Sequence, residues 1–123
     1  MNYYFLSAAG LLFLTGLVHS LLGERTIFYQ LFRMRVPDLM GSELFFKRTM
    51  RFTWHATTCI LWTLATVLAY WSDMELTTPV TDATQIFGFG FFAASLLALV
   101  ITQGKHFSWV VFLAVAILLW GGS

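Results

Sequence analysis

The chain has 123 residues, 59% hydrophobic and only 11% charged, with a formal net charge of +1 and a mean hydropathy of +0.77. A soluble domain carries about 25% charged residues, and a chain this short has too little interior to hide so much apolar surface, so lipid must replace water as its main solvent. The near-neutral charge leaves no electrostatic footprint for nucleic acid, and the single Cys59 excludes an internal disulfide.

Tyr3–Leu22 is the first apolar run. Its length of about 20 residues suffices to span a hydrocarbon core of about 30 Å. A signal peptide needs a basic start and a small-residue cleavage site after its apolar core. No Lys or Arg precedes Arg25, and Ser7–Ala8–Ala9–Gly10 falls too early. The run therefore reads as a retained membrane helix.

The segment 23–51 carries Arg25, Arg33, Arg35, Lys47, Arg48 and Arg51 against Glu24, Asp38 and Glu43. Within Thr26–Arg35, Ile27, Phe28, Leu31 and Phe32 recur at helical spacing. That pattern fits an interfacial amphipathic helix or an extension of the first helix beyond the membrane. Pro37, Asp38 and Gly41 break it, and Ser42 is the expected N-cap of a helix starting at Glu43.

Phe52–Trp71 is the second expected span, with residues 43–51 as its extension into the headgroups and Tyr70 and Trp71 as its aromatic belt. Ser72–Asp82 reads as an acidic loop containing Asp73, Glu75 and Pro79. Ala83–Gln103 is the third expected span. Its Gly90, Ala94 and Ala98 form a small-residue stripe suited to close helix approach. Gly104–Lys105 reads as a tight turn, and His106–Trp120 as a short fourth span.

All seven Lys and Arg fall on the connections joining spans one to two and three to four. The positive-inside rule makes those connections cytoplasmic. The expected fold is an all-α membrane protein, a single domain over 1–123. It forms a four-transmembrane-helix antiparallel bundle with both termini on the non-cytoplasmic side.

This topology brings His19, His55 and His106 to one depth, near Glu24, Arg51, Cys59 and Gln103. An ionisable ring inside a membrane segment is costly and marks a functional position by default. Imidazole is the commonest protein metal ligand. The leading expectation is a transition-metal site (zinc, copper or iron) with His19, His55, His106 and Glu24 as ligands. Arg51, Cys59 and Gln103 would stand behind it or bind an anion. Haem b or a quinone is the alternative, in a redox component. The third reading has no cofactor: an accessory or lipid-interacting protein whose histidines only cap and pack. Expected partners are the bilayer, anionic lipid headgroups, and a second copy or another membrane protein.

Val18–His19–Ser20–Leu21–Leu22–Gly23–Glu24–Arg25, then Arg51 to His55 and an apolar span with Trp62, resembles small bacterial four-span inner-membrane proteins of unassigned function. Lys105–His106–Phe107–Ser108–Trp109 is similar to the start of their last helix. The resemblance implies a four-span fold in the bacterial inner membrane and carries no activity.

Overall fold

The computed structural model describes residues 1–36 and 41–123. Among these residues the chain forms four helices and no strand: α1 (Tyr3–Leu31), α2 (Glu43–Trp71), α3 (Thr78–Ile101) and α4 (Ser108–Gly122). The expected breakers Pro37 and Asp38 lie outside the described residues. Gly41 sits at φ +99°, a left-handed backbone that suits glycine.

Helices α1, α2 and α3 are long and apolar enough to cross a membrane, and α4 is a shorter apolar helix. Only 28%, 22% and 17% of the apolar windows of α1, α2 and α3 is covered by the rest of the chain. Phe52, Ile86, Val100 and Ile101 are among the exposed large side chains. In water such a surface would drive association, whereas in lipid it is already solvated.

Local chemistry sets the helix ends. Ser42 Oγ accepts the N–H of Phe45 at 3.1 Å, the expected N-cap bond at the start of α2. Helix α1 continues past the apolar run, as the extension reading expects, but through a π-helical turn, Gly23–Phe28. Helix α3 begins at Thr78 rather than Ala83, because Pro79 occupies its first turn instead of a loop. Proline fits there, where its missing N–H would have no helical partner. Helix α4 begins at Ser108 rather than His106, because His106 belongs to the turn after Gly104.

The chain divides into two compact units: Phe13–Thr63, and Met1–Leu12 with Leu64–Ser123. In the second of these, α3 packs along α4. The buried face of α3 is Thr84, Gly88 and Ser95. Ser95 Oγ donates to the Trp109 carbonyl at 2.7 Å, and the Trp120 indole lies against Gly88. The α3–α4 contact thus uses Gly88 rather than the stripe of Gly90, Ala94 and Ala98. Gly90 is exposed, and a Cβ there would meet nothing within 4 Å. Periodicity alone left the phase of this helix open. The bulk of Trp120 decides it, because only Gly88 leaves room for the ring. Between α3 and α4, Gln103 and Gly104 adopt positive φ, 53° and 74°, and the Gly104 N–H caps the Leu99 carbonyl at 2.9 Å.

Asn2 ties three helix ends in the same unit. Its Oδ1 accepts the N–H groups of Tyr4 at 3.1 Å and Phe5 at 3.3 Å, capping α1. Its own N–H donates to Ser72 O at 2.6 Å, and its Nδ2 donates to Gly122 O at 2.7 Å. Asn2→Ala removes the cap and the Gly122 bond and is expected to cost about 2 kcal/mol. Asn2→Asp keeps the cap and should recover roughly half of that loss. Thermal unfolding in detergent, followed by circular dichroism, reads both.

Candidate functional site

The unit Phe13–Thr63 joins the C-terminal part of α1 to the N-terminal part of α2. Residues of α1 meet those of α2 in reverse order along the chain: Phe13 with Trp62, His19 with Trp54, Glu24 with Arg51. Two tryptophans set this contact. Trp62 Nε1 donates to Phe13 O at 3.1 Å, and Trp54 Nε1 donates to His19 O at 2.9 Å. Each indole reaches the α1 backbone because a glycine lies beneath it, Gly16 under Trp62 and Gly23 under Trp54. The Trp54 ring also stacks on His19, with centroids 4.0 Å apart and planes within 5°. Phe28, buried in the π-helical turn, closes the other side edge-on at 5.8 Å.

The turn begins where Trp54 presses on Gly23. Tyr29 N–H donates to Glu24 O, five residues back, as a π-helical turn requires. The Leu22 carbonyl accepts the Thr26 hydroxyl. Such a turn inserts one residue into the helix and re-aims the side chains beside it; it recurs at functional positions.

Glu24 lies in this turn and receives three hydrogen bonds. Arg51 Nε donates to Oε1 at 2.6 Å and Arg51 Nη2 to Oε2 at 2.7 Å, a two-pronged guanidinium–carboxylate pair. His55 Nε2 lies 2.6 Å from the same Oε1. A carboxylate only accepts, so Nε2 carries a proton. In the neutral ring His55 Nδ1 then accepts from Ser20 Oγ, 2.7 Å away. Ser20 and Glu24 are four residues apart on α1 and hold one imidazole between them.

The order hydroxyl, imidazole, carboxylate is that of a nucleophile triad. Ser20, however, lies inside the regular part of α1, Tyr3–Leu22. The helix consumes the nearby backbone N–H groups in its own ladder, so these do not face an oxyanion beside Ser20. The arrangement suits holding two helices together better than attacking an ester or amide.

Lys47 makes a second closed cluster in this unit. It is 5% exposed, and its Nζ donates to Glu43 Oε1 at 2.6 Å, Met34 O at 2.5 Å and Phe32 O at 3.4 Å. An ammonium has three protons to donate, and these acceptors take them. Lys47 thus caps carbonyls beyond the end of α1, a favourable place for a cation.

The residues expected from sequence separate as follows. Glu24, Arg51 and His55 meet in one network, and His19 lies one turn earlier in α1, against Trp54. Cys59 is exposed. Gln103 and His106 belong to the other unit and are exposed there. His106 Nδ1 pairs with Ser108 Oγ at 2.8 Å, and its N–H donates to Thr102 Oγ1 at 3.3 Å. Among the described residues, no group of three or more His, Cys, Asp or Glu side chains is placed to hold a metal ion, so the three-histidine set does not occur as such a group. Sequence reading named none of Ser20, Gly23, Trp54 or Lys47 as a site residue. The first is four residues from Glu24 and the third adjoins His55, so helical spacing carried a signal for both. Nothing in the residue order marks Lys47 as inward.

Compared with protein-family models, with curated proteins and with solved structures, the chain matches none.

Proposed function

We propose that this chain is a four-span integral membrane protein of the bacterial inner membrane, with both termini on the non-cytoplasmic side, acting as a non-catalytic accessory or lipid-interacting component. One observation carries the non-catalytic half. The polar network closes on itself: both Glu24 oxygens accept from Arg51, and both His55 ring nitrogens have protein partners. A centre built for an outside ion or substrate leaves ligand atoms turned toward it. The membrane half is supported by three helices of spanning length and apolarity, and by basic residues gathered in the segment 25–51 and at Lys105, with none between Arg51 and Lys105.

Transition-metal binding is the second reading, favoured by the adjacency of Glu24 Oε1 and His55 Nε2 at 2.6 Å. On that reading these two side chains ligate zinc, copper or iron in place of their hydrogen bond. One preparation separates the readings. Elemental analysis of the purified protein is expected to find metal well below one equivalent, and the visible spectrum no Soret band. Stoichiometric metal that disappears in His55→Ala would replace the first reading with the second. An intense Soret band lost in His19→Ala or His55→Ala would favour a haem protein.

A further inference from the structure

The internal ion pairs change what the basic segment shows to its surroundings. By sequence, Glu24 and Glu43 offset part of its charge. In the fold both are occupied: Glu24 by Arg51 and His55, Glu43 by Lys47. Arg25, Arg33 and Arg48 are exposed, and none has a carboxylate partner among the described residues. Among the described residues, then, no carboxylate pairs with these three exposed cations.

The same unit also exposes large apolar side chains. Ile27, Tyr29, Met34, Leu44, Phe45 and Met50 are all exposed in the same unit. Exposed guanidiniums interleaved with exposed apolar side chains suit the headgroup layer, where rings and alkyl stems sink and charges stay at phosphate depth. Arg33 is already ordered for this, its Cζ 4.0 Å above the Tyr29 ring. A guanidinium held over a ring face by its carbon still has N–H groups to donate to phosphate oxygens.

We infer that Arg25, Arg33 and Arg48 form a docking surface for the phosphates of anionic phospholipid in the leaflet bounding this unit. The inference rests on the membrane reading above and adds a lipid class to it. Pairing Glu24 with Arg51 and Glu43 with Lys47 leaves the three arginines without a carboxylate partner among the described residues. Zwitterionic lipid offers the same phosphate with a compensating ammonium and is bound less well.

The test titrates detergent-solubilised full-length protein with phosphatidylglycerol or phosphatidylcholine micelles and follows tryptophan emission and melting temperature. Phosphatidylglycerol is expected to bind more tightly and to raise the melting temperature more, with the difference shrinking at high salt. Each Arg→Gln change at 25, 33 or 48 should weaken phosphatidylglycerol binding roughly five-fold, and all three together by more than about ten-fold. Their helicity should be unchanged, and their phosphatidylcholine affinity should fall by less than their phosphatidylglycerol affinity. Equal affinity for the two lipids, or a triple variant that keeps the full preference, overturns the inference and leaves the membrane reading standing. Release of the wild-type protein from membranes by alkaline carbonate would instead sink the membrane reading itself.

Discussion

Gly23→Ala and Gly88→Ala are each expected to destabilise the protein by about 1–3 kcal/mol, whereas Gly10→Ala and Gly90→Ala should be neutral or stabilising by up to about 1 kcal/mol. All four positions are helical glycines, and intrinsic propensity favours alanine at each. Contact decides the sign. A Cβ on Gly23 would lie 2.8 Å from Trp54 Cδ1 and closer still to its indole nitrogen, and one on Gly88 would lie 2.8 Å from Trp120 Cδ1. Carbon atoms pack at about 3.5–4.0 Å, so the rings must move. At Gly23 the movement also breaks the Trp54–His19 carbonyl bond of 2.9 Å and the stack on the His19 ring. A Cβ at Gly10 or Gly90 meets nothing within 4 Å. Thermal unfolding of the four variants in one detergent measures the contrast. Four equal shifts would mean that the indole–glycine contacts do not hold the helices.

Glu24→Ala should be the most damaging single change in the polar network, costing about 1–2 kcal/mol. It strips the acceptor from both Arg51 and His55 at once. The loss stays moderate because the Arg51 side chain is 51% exposed and the His55 side chain 35% exposed, so both regain some hydration. Glu24→Gln keeps one acceptor oxygen but turns an NH2 group against donors, so it should fall between wild type and Ala. Arg51→Lys keeps the charge and loses the two-pronged geometry, and should recover less than half of the Arg51→Ala loss. The same unfolding measurement ranks the series. A Gln variant as unstable as Ala would indicate that the charge, not the geometry, carries the effect.

Much of this was legible in the residue order. Apolar run length placed Tyr3–Leu22 as a helix. Ser42 before Glu43 placed the start of α2, because an N-cap is a local bond between residues three apart. Glu24 and Arg51 could be named as partners because both sit where an apolar run meets a basic one. Phase and depth were harder. The π-helical turn starts at Gly23, where Trp54 rests, a contact between residues far apart in sequence. Gly90 and Gly88 are indistinguishable by composition until Trp120 selects one. Lys47 looked like a headgroup-facing cation because its acceptors, the carbonyls of Phe32 and Met34, appear only when the chain folds back. His106 was expected to open the last helix and instead lies in the turn two residues before α4 begins, where Ser108 satisfies it.

That Glu24 and Arg51 bind each other, rather than an outside ion, is tested most directly by a double-mutant cycle. Unfolding free energies of wild type, Glu24→Ala, Arg51→Ala and the double variant are compared in metal-free detergent solution. A pair that closes on itself predicts a favourable coupling of about 1 kcal/mol, with the double variant scarcely less stable than Glu24→Ala. Losses that add within about 0.3 kcal/mol would show that the two side chains act independently, and would contradict the closed network.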